Sequence, residues 1–221
     1  MAARPLLTDA ELDRVREAVA AAEARTSGEI VPYIVGRSGT YGIAVWRAAA
    51  AGALLAAIVA LAVAWLYNGW GIGWLYSAWA MALVMTLGGT AGAFAAATVD
   101  PLRRRLAGST RLDDRVHSRA AQAFVEEEVF DTRDRTGILL FVSLFEHRIE
   151  VVGDAGISAK VEPEEWAEVV ALVRDGIRGG DLAGGLVRAI GKCGDLLHRS
   201  GVAVRRDDTD ELSDEVRIRD R

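Results

Sequence analysis

Cys193 and Arg199 stand in the Cys-x5-Arg spacing with which cysteine phosphatases pair a thiolate nucleophile with a phosphate-binding guanidinium. That chemistry needs a loop of backbone amides around the sulfur, to stabilise the thiolate and the phosphoryl oxygens. Cys193 instead falls on the apolar stripe Leu182, Leu186, Ile190, Cys193 and Leu197, so the spacing predicts a core thiol. Asp208-Thr209-Asp210 has the pattern of a phosphoaspartate motif, but no strand precedes it. The glycines of Gly69-x-Gly71-x-Gly73 and of Gly179–Gly185 belong to no Gly-x-x-x-x-Gly-Lys-Ser/Thr loop. His117, His147 and His198 are isolated, without metal-ligand spacing, and read as surface side chains. A single cysteine rules out an internal disulfide framework and a Cys-rich zinc site.

Hydropathy sets the elements that must carry any chemistry. From Ala48 to Val99 the chain runs fifty-two residues without Asp, Glu, Lys or Arg. A hydrocarbon core of ~30 Å needs ~20 apolar residues as helix, so two crossings and a tight turn fit. Tyr67-Asn68-Gly69-Trp70-Gly71 breaks the run near its middle. A transmembrane hairpin is therefore expected within residues 46–99, with spans at Ala48–Leu66 and Leu75–Val99. Arg37 and Arg47 precede it, Arg103, Arg104, Arg105, Arg111 and Arg115 follow it, and the turn is uncharged. The positive-inside bias then keeps the soluble part and both termini in the cytoplasm, as in a multi-pass protein of a bacterial inner membrane. Trp46, Trp65, Trp70, Trp74 and Trp79 lie near the span ends, where aromatic rings sit at headgroup level. Ala48-x-x-x-Gly52-x-x-x-Ala56 and Gly88-x-x-x-Gly92-x-x-x-Ala96 place small residues on one face, suited to packing within the hairpin or to self-association.

The net charge of −5 resides wholly outside the apolar run. No basic stripe suggests nucleic acid binding, and Arg103–Arg105 fit a stop beside anionic lipid. Met1-Ala2-Ala3-Arg4-Pro5 leads into a polar helix and lacks the apolar core of a signal peptide. Without the spans roughly 170 residues remain, enough for one small domain.

Thr8-Asp9-Ala10-Glu11 is a capping-box signature, and Leu12, Val15, Val19 and Ala22 form the stripe of the helix it opens. Thr26-Ser27-Gly28 breaks the chain before a strand, Glu29–Val35, in which Pro32 predicts an unpaired amide or a sheet edge. A helix is expected over Thr110–Phe130. Gly137–Leu144 reads as a strand covered on both faces, and a turn at Glu146-His147 pairs it with Arg148–Val152. Pro163 opens a helix that Gly179-Gly180 stops, and Asp181 caps the last one. Residues 201–221 are mostly charged or polar and are expected to be disordered. The order predicts an α/β protein: a small αβαββαα sandwich with helices on a short mixed sheet, interrupted by the hairpin.

Thr26-Ser27-Gly28-Glu29-Ile30-Val31, Arg135–Leu144 and Arg148–Ile157 together resemble the TPM domain family, long catalogued as a domain of unknown function. The resemblance covers residues 6–40 and 107–200. It implies a βαββ-centred sandwich held as a split domain. Members include photosystem II repair proteins and accessory proteins of a nematode acetylcholine receptor, and acid phosphatase activity and divalent-cation binding are attributed to some. By position, the resemblance assigns an acidic turn to Asp131 and Asp134 and the acid of the Gly-x-x-Gly turn to Asp154. Glu29 would join them if its strand runs parallel beside the central one. Such a cluster could hold Ca²⁺ or Mg²⁺ through oxygen ligands and polarise a phosphate ester. The other reading makes all four loop acids, paired with Arg133, Arg135 and Arg148.

Three functions follow as expectations. The first is an integral membrane protein that presents a TPM-like domain at the membrane surface as an accessory or scaffold for another membrane protein. The second is a divalent-metal-dependent, acid phosphatase-like hydrolase using Glu29, Asp134 and Asp154. The third is a homo-oligomer built through the Gly88–Gly92 face.

Overall fold

A computed structural model describes residues 6–67, 74, 77–202 and 211–220. The elements are α1 (Asp9–Glu23), β1 (Ile30–Val35), α2 (Gly42–Leu66), α3 (Ala78–Thr98), α4 (Asp100–Ala107), α5 (Ser109–Glu126), β2 (Ile138–Ser143), β3 (Arg148–Gly153), α6 (Ala155–Ser158), α7 (Pro163–Gly179), α8 (Leu182–Arg199) and β4 (Arg217–Arg219). They divide into one unit of residues 1–38 and 115–221 and another of residues 39–114.

The first unit is a mixed α/β fold around a four-stranded sheet of order β3-β2-β1-β4. β1 and β2 are parallel, with Ile30 opposite Ile138 and Val35 opposite Ser143. A parallel pair needs a crossover, and the chain between these strands carries α2 to α5. β2 and β3 form the expected antiparallel hairpin. Both β1 and β2 are buried at every position, as their unbroken apolar runs require.

Two apolar layers cover the sheet. On one face Ile30, Ile34, Ile138 and Leu140 meet Val15 and Val19 of α1, Val169 and Val173 of α7, and Leu186, Ile190 and Leu197 of α8. On the other, Val31, Tyr33, Leu139 and Phe141 meet Val116, Ala120 and Ala123 of α5. Complete burial of each large aliphatic side chain contributes about 1.5–3 kcal/mol. Tyr33 and Phe141, register partners on adjacent strands, stack with centroids 5.5 Å apart. Local signals set the helix ends. Thr8 and Glu11 close their capping box at 2.8 and 3.3 Å, and Gly180 ends α7 at φ 74°.

β4 corrects the expectation that the whole stretch 201–221 is disordered. Arg217, Ile218 and Arg219 pair in parallel with Tyr33, Ile34 and Val35, while Leu212 and Val216 pack on the two apolar layers. Residues 203–210, Asp208-Thr209-Asp210 among them, lie outside the described residues. β4 also explains Pro32. The bonds from Ile138 N–H to the Glu29 carbonyl and from Leu144 N–H to the Val35 carbonyl turn the odd-numbered residues of β1 toward β2. Pro32 therefore faces the β4 side, just before the paired stretch begins, where no donor is required.

In the second unit α2 and α3 pack against each other, and the small-residue stripes are used up between them. A Cβ on Gly92 would lie 2.3 Å from the Ala48 carbonyl oxygen, and one on Gly52 would lie 2.3 Å from that of Gly88. The large side chains point away: Leu54, Leu55, Ile58, Leu83, Leu87 and Phe94 are all more than half exposed. Trp46, Trp65, Trp74 and Trp79 are exposed near the helix ends, whereas Trp70 lies outside the described residues. Asp100-Pro101 restarts the chain as α4, which carries Arg103–Arg105. At its C-terminal end the Arg47 guanidinium donates to the Leu106 carbonyl at 2.7 Å.

Candidate functional site

The topology gathers the four acids implied by the resemblance at one end of the sheet. Glu29 precedes β1, Asp131 and Asp134 lie in the loop before β2, and Asp154 follows β3, which runs antiparallel. Their side chains then go separate ways. Asp154 is buried, accepts from the Ala155 N–H at 2.7 Å as the cap of α6, and meets Arg135 Nε at 2.8 Å. Glu29, also buried, turns toward the C-terminal segment, where the Glu211 N–H donates to its Oε1 at 3.2 Å. Asp131 and Asp134 are exposed. Among the described residues, no three His, Cys, Asp or Glu side chains are arranged to hold a metal ion.

The loop motifs are explained by close packing between turns. A Cβ on Gly156 would come within 2.3 Å of the Asp134 carbonyl oxygen, and the Gly156 N–H donates to the Arg135 carbonyl at 2.8 Å. Arg135 itself occupies the left-handed region at φ 57°, a cost of about 1–3 kcal/mol that its surroundings must offset. Its ion pair with Asp154 and its position 5.7 Å over the Phe130 ring act against that cost. The Gly-x-x-Gly turn and the Arg135-Thr136-Gly137 run thus lock two loops together.

A different acidic group escapes sequence reading. Glu23, at the end of α1, accepts from the Ile30 N–H at 2.7 Å and sits beside Glu29 and Asp214. Burial pushes its carboxyl up to about 9, and the two neighbouring carboxylates reinforce the shift against the Ile30 hydrogen bond. The shift favours the protonated carboxyl near neutral pH, the form able to donate to Asp214, whose Oδ1 is buried. With the Glu211–Glu29 hydrogen bond, the arrangement ties the C-terminal segment to the α1–β1 junction. Glu211 extends the tie by accepting from the Arg133 N–H at 3.1 Å. Only an acid in the last turn of a helix, where bases are favoured, could have signalled Glu23.

Cys193 is fully buried and its thiol is pushed up to about 12 by burial, which removes the thiolate that Cys-x5-Arg chemistry requires. Arg199 pairs with Glu165 at 3.1 Å. His117, His147 and His198 are exposed, and His117 meets Glu150.

No family model matches the chain, and no curated protein matches it. Among solved structures, the fold is similar to the NMR structure of the BA42 protein from the psychrophilic bacterium Bizionia argentinensis, at 18% identity over 97% of each chain with a TM-score of 0.59. At that identity the likeness establishes a shared mixed α/β fold.

Proposed function

We propose that this chain is an integral membrane protein in which α2 and α3 cross the bilayer as a hairpin. Its α/β unit is held at the cytoplasmic face of a bacterial inner membrane, as an accessory or scaffold for another membrane protein. One observation carries the reading. The helix pair is apolar outward and small inward, with only 11% of the most apolar window of either helix buried. A water-soluble helix pair buries its large side chains, whereas lipid is as good a solvent for them as a core. Helices of 25 and 21 residues would extend ~37 and ~31 Å, enough to span. The arginine-rich flanks and uncharged turn support the orientation. The TPM resemblance belongs to the same proposal and supports it through the strand order and loop motifs.

The test is cross-linking in membranes followed by purification in mild detergent. A discrete membrane protein should be recovered with the chain, and preparations that repeatedly return the chain alone would count against the reading. The hydrolase alternative predicts Ca²⁺- or Mg²⁺-dependent turnover of a phosphate ester that disappears in an Asp134→Ala/Asp154→Ala variant. The separate engagement of Glu29 and Asp154 favours the accessory reading over it.

A further inference from the structure

β3 is an edge strand of the sheet, and a groove of 470 Å³ opens where its first residues face α7. Ile149 and Ile177 line it as partly exposed apolar surface, ringed by His147, Arg148, Arg174 and Arg178. No acidic residue lines it among the described residues. Glu146, in the adjacent turn, is buried and accepts from the Ser38 N–H at 3.0 Å.

Two features distinguish this rim from an ordinary solvated surface. Arg174 and Arg178 stand at i and i+4 on α7, a like-charge spacing that disfavours a helix. Neither has a carboxylate within ion-pair distance among the described residues, although paired arginines are common elsewhere in this unit. The second feature is backbone. The Asp154 N–H donates to the Gly137 carbonyl at 2.9 Å, which fixes the phase of the β2–β3 ladder. By alternation Ile149, Val151 and Gly153 turn their amides and carbonyls to the outer edge. Ser158 donates to the Gly153 carbonyl at 2.6 Å, so the edge beside the groove is that of Ile149 and Val151.

We propose that this edge and groove bind an acidic, extended segment of a partner protein, added as a fifth strand beside β3. Backbone bonds to Ile149 and Val151 would hold the segment. Among the side chains that the segment turns toward α7, an apolar one would rest on Ile149 and Ile177, and carboxylates two residues away on the same face would meet Arg174 and Arg178. The inference deepens the accessory reading, on which it rests, by specifying the chemistry of the partner.

The probe is a short fluorescein-labelled peptide of the pattern Glu-Thr-Val-Thr-Glu, which puts glutamate and valine on one strand face, titrated by fluorescence anisotropy into the full-length protein in neutral detergent. Saturable binding is expected, weakened by salt and about tenfold or more by Arg174→Glu/Arg178→Glu, but largely kept in Arg174→Lys/Arg178→Lys. Val151→Pro removes an outward amide on an edge strand, where proline is tolerated, and should also abolish binding. An unchanged melting temperature in each variant excludes unfolding as the cause. Equal binding of the same peptide with lysine in place of glutamate, or binding that survives Val151→Pro, would overturn the proposal. Displacement by glycerol phosphate at concentrations where chloride has no effect would make the groove a headgroup site and would also overturn it. If the peptide fails to bind while a cross-linked membrane partner is still recovered, the groove proposal falls and the accessory reading stands. Peptide binding without any recoverable partner would have the reverse meaning.

Discussion

The guanidinium of Arg217 meets the carboxylate of Glu127 at 3.1 Å, with the two side chains only 13% and 16% exposed. Arg219 reaches the same carboxylate at 3.4 Å. The last strand is thereby fastened to the end of α5, across one face of the sheet. Glu127→Ala and Arg217→Ala should each cost about 1–3 kcal/mol, because the remaining charge loses its partner in a partly dry site. The double variant should cost less than the sum, as measured by urea denaturation in detergent.

Glu23 should make stability depend on pH with a defined sign. The folded carboxyl titrates near 9 and the free one near 4.5, so between these values the native state holds a proton that the unfolded chain has lost. The contribution is complete below 4.5 and declines as pH rises toward 9. Glu23→Gln keeps an acceptor for the Ile30 N–H and a donor for Asp214 without the titration. Unfolding midpoints measured from pH 5 to pH 9 should fall less steeply in that variant than in the parent.

Asp154 should report structure through its two contacts. Asp154→Ala removes the cap of α6 and the partner of Arg135, with an expected loss of about 0.5–2 kcal/mol for the cap alone. Asp154→Asn retains a capping oxygen and should recover part of the loss. Chemical denaturation of the three proteins side by side distinguishes these contributions.

The helix pair should be intolerant of bulk at its seam. Gly92→Leu places side-chain atoms where the Ala48 carbonyl now lies, whereas an added Cβ at Gly42 meets nothing within 4 Å. Gly92→Leu should lower the thermal stability of the detergent-solubilised protein and increase protease cleavage in residues 39–114. Gly42→Ala should leave both near the parent value.

Most of the architecture was legible because it rests on long or repeated signals. The uncharged run from Ala48 to Val99, the capping box at Thr8 and Glu11, and the apolar strand from Ile138 to Ser143 each combine many residues in one pattern. β4 was hidden because it is short and its Arg-Ile-Arg sequence lies among charges, although Val216 and Ile218 alternate as an edge strand would. The gathering of Glu29, Asp131, Asp134 and Asp154 at one sheet end was also within reach, since strand order determines it. Their side-chain directions were not, because a cap at Ala155 and a contact at Glu211 depend on chain segments that only the tertiary fold brings near.

Chain order gives the parallel crossover a consequence for biosynthesis. β1 emerges first, but both of its neighbours, β2 and β4, are synthesised after the two long apolar helices, and β4 follows every other described element. The helix pair is therefore complete while Ile30–Val35 still presents two open edges. β4 then closes the second edge, so a chain lacking Arg217–Arg219 would display an exposed apolar strand, a ready signal for proteolytic quality control.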